Sequence, residues 1–367
     1  NVAPTFSSAA TVSVTEGQST VMSIAAADSA DGSGSVLSYS LTGNDAALLA
    51  LSDENQLSFL GAPDFENPAD QDQNNTYQVT LSVSDGELST DLELAISISD
   101  AFEGRVVDGP IAGAAVFADL NGNLTLDADE PSGASDSNGF FKIEMFTESA
   151  GVSPKVIAKG GVDAATGTAL DSLTLISDVP ADASLPLNVT PITTLIASVD
   201  ADAEKEQLLT ALGISGGLEA VLTTDTWAGS LAGDSSAVAV QRLNQQIGQI
   251  MLAAANISEL SSDADPVQVS LAVGSELADQ AVDQGADAFT TTKTLQSVLT
   301  DALEVAAPSV ALKAQDVVAI ASSLGILNAV IGAQTLNPSS ADAVEIAKIV
   351  QADFATPVTS LTSGESS

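Results

Sequence analysis

The 367-residue chain contains no cysteine and no histidine, and only 4% of it is aromatic. Without Cys it cannot form disulfides, thiolate metal sites or a cysteine nucleophile. Without His it loses the commonest general base and the commonest transition-metal ligand. Most hydrolase and oxidoreductase centres are therefore hard to build from it. Positive charge is scarce as well: 9 Lys and Arg stand against 49 Asp and Glu, a formal net charge of -40. A field of that sign repels nucleic acid and anionic membranes, attracts metal cations and strains the fold by self-repulsion. No apolar run reaches the roughly 20 residues of a membrane span, and nothing at Asn1 resembles a signal peptide. The chain reads as a mature product or an internal fragment of something longer.

Catalytic motifs are missing too. No G-x-S-x-G, S-x-x-K or phosphate-cradling glycine loop occurs, and Gly160-Gly161 and Gly216-Gly217 read as turns. A glycosidase needs only two facing carboxylates, but 49 acids supply such pairs by chance. The single tryptophan, Trp227, reads either as a stacking platform for a sugar or as a packing anchor beside a helix. No enzyme is expected.

What is present is oxygen. In DLNGNLTLDADE, Asp119, Asn121, Asn123, Thr125 and Asp127 recur at every second position and Glu130 closes the run. That is the ligand rhythm of a calcium loop, whose hard cation takes six to eight oxygens. The glycine usual at the sixth position is replaced by Leu124, and the flexible residue sits earlier, at Gly122. The alternative reading is an acidic surface turn.

The hydrophobic period changes twice along the chain. Up to about Asp100, short alternating runs (Thr11 to Glu16, Val36 to Leu41, Gln56 to Leu60, Tyr77 to Asp85, Leu92 to Asp100) each put apolar residues on one face, as strands of an antiparallel sandwich do. A second β segment, 102–189, holds RVVD, AAVFADL, GFFKIEMF, PKVIAKG and LTLISDV, and carries the oxygen-rich loop directly after AAVFADL. After Thr190 the period is helical: Val240, Leu243, Ile247, Ile250, Met251 and Ala254 share one helix face. Leu295, Val298, Leu299 and Leu303 repeat the pattern, as do Val317, Ile320, Leu324 and Leu327. With Pro191, Pro266, Pro308 and Pro338 as punctuation, about six helices are expected before Phe354. The expected fold is thus multidomain β + α: two antiparallel β-sandwich domains, 1–101 and 102–189, then an all-α domain, 190–355, and a flexible tail, 356–367.

The first hundred residues resemble a bacterial cadherin-like repeat. The resemblance rests on the N-x-x-P start Asn1 to Pro4, on Glu16 after the first strand, on Asp64-Phe65-Glu66 as the D-x-E element, on Asp85 in VSVSDG and on Asp100 at the last strand's end. It implies that Glu16, Asp64, Glu66, Asp85 and Asp100 converge at one end of the repeat and bind calcium. SISDAFEG lacks the family's D-x-N-D linker. Asp28 and Asp31 would supply its mid-repeat acidic pair. Asp70, Asp72, Asn74 and Asn75 read either as an extra calcium loop or as a polar hairpin turn.

The stretch from Gly104 to Glu144 is similar to calcium-binding repeats of bacterial surface adhesins, small Ig-like sandwiches in which D-x-N-G-N closes with a Glu and D-x-x-G-x-F follows. Asp136-Ser137-Asn138-Gly139-Phe140 is that second element, and a returning hairpin would bring the Asp136 carboxylate back to the ion; a plain Asp/Gly turn is the alternative. The helical part resembles segments that follow such sandwiches in long marine bacterial surface proteins. Together these resemblances imply a secreted, calcium-stabilised adhesion or structural protein of the bacterial surface, partnered by calcium, by copies of itself or by neighbouring surface domains. The alternative is a module that binds an extracellular glycan through calcium.

Overall fold

The computed structural model describes residues 1–28, 36–146, 152–182, 184–261, 263–310 and 313–333. Asp31 and everything from 334 onward, including the tail at 356–367 and Pro338, lie outside the described residues. The chain divides into two compact units after Ala101.

Among its described residues the first unit has nine strands: β1 (Thr5–Phe6), β2 (Thr11–Thr15), β3 (Thr20–Ser23), β4 (Ala26–Ala27), β5 (Ser38–Thr42), β6 (Leu49–Leu51), β7 (Gln56–Phe59), β8 (Thr76–Ser84) and β9 (Ser89–Ser99). In β8 the alternation seen in the sequence is literal: Tyr77, Val79, Leu81 and Val83 are buried while Gln78, Thr80, Ser82 and Ser84 point outward. Sheets β2-β9-β8-β5 and β3-β7-β6 enclose one core that includes Val14, Ile24, Leu57, Phe59, Tyr77, Leu81 and Ile96. The Phe59 and Tyr77 rings meet edge to face, 4.8 Å between centroids. The purely antiparallel expectation is corrected at one point. β2 runs parallel to β9, from Thr11 against Ala95 to Thr15 against Ser99. A parallel pair cannot be joined by a hairpin, and here the chain visits the other sheet before β9 returns beside β2.

The second unit takes up the chain from the second residue of β10 (Ala101–Val106) and continues with β11 (Ile111–Ala112), β12 (Ala115–Asp119), β13 (Ser132–Ala134), β14 (Phe140–Glu144), β15 (Lys155–Lys159), β16 (Val162–Asp163), β17 (Thr174–Asp178) and β18 (Leu187–Val189). Eight α-helices follow among the described residues: α1 (Pro191–Ala197), α2 (Asp202–Ala211), α3 (Gly217–Thr223), α4 (Thr226–Leu231), α5 (Ser235–Ser258), α6 (Pro266–Gln284), α7 (Thr292–Ala306) and α8 (Ala314–Ala333). The sequence reading expected about six before Phe354; the short α3 and α4 are too brief to show a period. Pro191 and Pro266 are first residues of helices capped by Thr190 and Asp265, as the proline rule anticipates.

Sheet β13-β12-β15-β17 is covered on both faces. Val116, Ala118, Val156, Ala158 and Leu175 join a core that includes Val106, Phe141 and Val189 of sheet β14-β10-β18 and much of the helical part. The alternate residues Phe117, Ile157 and Ile176 pack with Ala197 of α1 and Val267 of α6. The expected boundary at 189/190 is therefore not a boundary between compact units. Two-sided burial leaves the sheet without a wet face, so the helices complete its core. β10 and β18 are parallel, so this unit too is mixed rather than purely antiparallel.

Helix α8 is long and apolar enough, by length and composition, to cross a membrane. It is also built into the core through Val317, Ile320, Leu324, Leu327 and Ile331. Trp227 is buried in α4, as a packing anchor would be.

Candidate metal centres

At the end of the first unit where β9 finishes, carboxylate oxygens of Glu16, Glu66 and Asp100 lie within 4.8 Å of one another. The parallel pairing of β2 with β9 brings this about, because it sets Thr15 beside Ser99 and so the next residues, Glu16 and Asp100, at the same edge. Glu16 is 2% exposed. Its Oε2 accepts from the Phe65 amide at 3.2 Å and its Oε1 from the Ala101 amide at 3.2 Å, which aims the carboxylate between the D-x-E turn and the strand end. Oxygens bound to one calcium at about 2.4 Å are separated by at most about 4.8 Å, so this all-oxygen, all-anionic set fits a hard cation. It offers nothing to a soft one.

Asp64 and Asp85 are not part of that set. Asp64 is exposed and accepts from the Asn67 amide at 3.2 Å, closing its own turn. Asp85 sits in the β8–β9 hairpin, where Ser84 pairs with Ser89. Its Oδ1 accepts from Leu88 and Glu87 amides at 2.7 and 2.8 Å. Those bonds, with the Asn1 side chain, hold its carboxyl below the ordinary range. Since β9 spans 11 residues, Asp85 and Asp100 stand at opposite ends of a strand roughly 35 Å long. Of the five acids expected at one end, Glu16, Glu66 and Asp100 come together there, Asp64 stays in the neighbouring turn, and Asp85 lies at the other end of β9. Asp85 belongs to the other end with Asn1, whose Nδ2 donates to Glu87 at 2.9 Å. Asp28 follows β4, whose partner β1 begins at Thr5, and so lies near that end too.

A second acidic group, weighed in the sequence as a calcium loop or a hairpin turn, is stitched internally. Asp70, 2% exposed, accepts from the amides of Asn74 and Asn75 at 2.8 and 3.3 Å. Asp72 is pushed up by its hydrogen bond with the Asp70 side chain. Asp45, which sequence reasoning missed, is 3% exposed and accepts from Gln71 and Gln78 amides at 2.8 and 2.7 Å. Its signal was the turn Gly43-Asn44-Asp45, overlooked for lack of a ligand rhythm.

In the second unit the loop from Asp119 to Glu130 emerges from β12 as expected. Asp119 is 1% exposed; it accepts from the Gly122 amide at 2.8 Å and the Leu124 amide at 3.0 Å. Glu130 accepts from Leu120 and Asp127 amides at 2.8 and 3.0 Å, tying the last position to the first turn. The side-chain amides of Asn121 and Asn123 both donate to Asp127 Oδ2, each at 2.7 Å. Two donors converging on one carboxylate oxygen mark where the loop calls for positive charge. Thr125 is turned onto Asn123 Oδ1 at 2.7 Å. Leu124 takes φ 62, so it adopts the left-handed turn that glycine usually makes at this position. The donor set fits calcium: Asp119, Asn121, Asn123, Asp127 and Glu130 would hold it, and the ion would supply charge neutralisation and a cross-link.

Asp136 is not brought to this loop. Its Oδ1 accepts from Asn138 and Phe140 amides at 2.8 and 2.9 Å, which makes it the corner of the next hairpin. Register explains the separation. β13 runs back along β12 with Ser132 against Phe117 and Ala134 against Ala115, so Asp136 is carried past the far end of β12, roughly 20 Å from Asp119.

No family model matches the chain, and no curated protein does either. Among solved structures it is similar to human protocadherin-24 EC1-2 at 18% identity and TM-score 0.23, covering 48% of this chain and 96% of that one. It is likewise similar to Drosophila N-cadherin EC1-4 (19%, TM-score 0.24, 43% of this chain and 45% of that) and to mouse cadherin-23 EC22-24 (13%, TM-score 0.22, 43% and 60%). These neighbours are cadherin domains, and the site assignments above stand on this chain's own geometry.

Proposed function

We propose that this is a calcium-stabilised structural and adhesion protein that works outside the cell, on a bacterial surface, and not as an enzyme. The observation that carries the reading is the convergence of Glu16, Glu66 and Asp100 within 4.8 Å. Like charges so close oppose folding unless a cation joins them. Calcium does both jobs such a site calls for: it cancels the repulsion and locks the D-x-E turn to the ends of β2 and β9. The loop at Asp119 to Glu130 is the second such clamp, set between strands rather than between helices that could open, so its role is rigidity and not sensing. Calcium at a hundredfold excess over its dissociation constant adds about 2.7 kcal/mol per site, against a typical domain stability of about 5 to 15 kcal/mol. Partners of the same kind follow from the same chemistry: acidic faces of two copies, each repelling the other, are bridged by a divalent ion.

The test is a thermal melt with calcium and with EDTA. Calcium is expected to raise the transition of each unit by several degrees, and Glu16→Gln with Asp100→Asn is expected to remove the gain in the first unit alone. An unchanged melt on chelation overturns the reading.

A further inference from the structure

Two cavities of the second unit, about 560 Å³ and about 530 Å³, share Ser153, Lys155 and Asp200 in their walls. The two cavities therefore adjoin at those polar residues, which form the waist of a two-lobed surface groove. The first lobe has an aliphatic wall that includes Leu124, Leu271, Ala272 and Val305. The second has Val179, Val199, Leu218 and Leu222. Among the described residues no aromatic side chain lines either lobe, so these walls offer a sugar ring no stacking face.

Charge decides what the waist accepts. Asp119, Asp263 and Asp265 stand around the first lobe and Asp178, Asp202 and Glu219 around the second, with exposed Asp200 between them. Among the described residues the cations in the walls are Lys155 and Lys205. Both are held by Asp178, at 2.6 and 2.8 Å, and are not offered to a ligand. The groove thus presents aliphatic, anionic, aliphatic surface in sequence. Its complement is an extended chain with an aliphatic side chain on each side of a basic one.

We propose that this groove binds an extended basic peptide segment of a partner protein, with an aliphatic residue in each lobe and a Lys or Arg opposite Asp200. The binding uses no metal as a ligand, but Asp119 and Leu124 of the calcium loop stand in the wall of the first lobe, so affinity is measured both in calcium and in EDTA to keep the two proposals distinguishable. An acidic segment is rejected by the rim, and a polyamine fills the waist but leaves both lobes empty.

The experiment is fluorescence anisotropy on the full chain with labelled peptides carrying two leucines around one lysine, with one to five residues between the leucines. Salt at about 0.15 M shortens the reach of the general negative field to about 8 Å. At least one spacing is expected to bind tenfold or more tighter than its Leu→Ser counterpart of equal charge, its Lys→Glu counterpart and spermidine. Ala272→Trp, which fills one lobe, and Asp200→Lys, which reverses the waist, are each expected to weaken that peptide at least tenfold. Should Ala272→Trp fail to fold, the exposed Asp200→Lys decides. Equal binding of the serine counterparts shows diffuse attraction to an acidic protein and overturns the proposal, as does unchanged affinity in Asp200→Lys.

Discussion

Lys155 and Asp178 face each other across β15 and β17, with Lys155 Nζ 2.6 Å from Asp178 Oδ1. The other carboxylate oxygen, Oδ2, takes Lys205 of α2 at 2.8 Å. One acid thereby spends two of the chain's 9 basic residues joining the sheet to a helix. Burial alone would raise the Asp178 carboxyl, but Lys155 and Lys205 together bring it below the ordinary range. A carboxyl depressed in the folded state stabilises above the unfolded value of about 4 and loses that contribution as pH falls through the folded one. Asp178→Asn takes the charge partner from Lys155 and leaves buried Lys205 only the longer contact to Asp202 at 3.7 Å, so a loss of about 3 kcal/mol is expected at neutral pH. Urea melts at neutral and acid pH check it: the variant's deficit should shrink on acidification.

Asp108 predicts the opposite sign. It sits in the two-residue turn between Val107 and Pro110, with its carboxylate against Gly248 of α5, where a Cβ has no room. Its Oδ1 is buried without a hydrogen-bond partner. Burial, and secondly the negative charge of Asp163, push its carboxyl well above the ordinary range. The folded state then holds a proton that the unfolded chain has already released, so stability declines as pH rises from about 4 through the folded value. Asp108→Asn keeps the shape of the neutral acid and removes that decline. Chemical denaturation at about pH 5 and about pH 8 should show the variant gaining on the parent at the higher pH; an equal difference at both would refute the assignment.

How much of this was legible depended on the range of the signal. The alternation of β8, the rhythm of Asp119 to Glu130 and the prolines that open α1 and α6 are local, and each appears where the sequence places it. Pairing register is not local. Nothing in VSVSDG says that its Asp85 lies a full strand away from Asp100, nor in DSNGF that β13 carries Asp136 away from the loop. β1 and β4 are two residues each, too short to show a period. One signal was available and missed. In KVIAK and TLISD the apolar residues stand side by side (Val156, Ile157, Ala158; Leu175, Ile176) instead of alternating, the mark of strands buried on both faces, and this pointed to the helices belonging to the same unit.

Leu124 sets backbone strain against packing. Its φ of 62 costs about 1 to 2 kcal/mol that glycine would not incur. Its side chain packs, partly buried, on the cluster of Phe117, Ile157 and Ile176, and a leucine fully buried contributes about 1.5 to 3 kcal/mol. For a half-buried one the two terms nearly cancel. Leu124→Gly is therefore expected within about 1 kcal/mol of the parent. Leu124→Val keeps an apolar side chain but adds branching where left-handed backbone tolerates it least, and should be the less stable of the two in paired thermal melts.

Asn328 predicts what a polar residue is doing in the most apolar helix. It is fully buried. Its Nδ2 donates to the Gln246 carbonyl of α5 at 3.1 Å and to the Phe289 carbonyl at 2.8 Å, while Gln246 Nε2 returns a bond to the Asn328 carbonyl at 2.7 Å. In Asn328→Leu the volume is nearly kept, but the Phe289 carbonyl, at the end of the 3-10 turn Gly285–Phe289, loses this donor. An orphaned buried acceptor costs about 1 to 3 kcal/mol, more than the added apolar surface returns at a site already closed. A lowered urea midpoint is expected, with faster amide exchange in α5 and around Phe289. If α8 instead left the protein for a bilayer, the same substitution would favour that state, since Asn is costly in hydrocarbon. Vesicle flotation of Asn328→Leu separates the two: destabilisation without membrane uptake shows that the helix works as a core element.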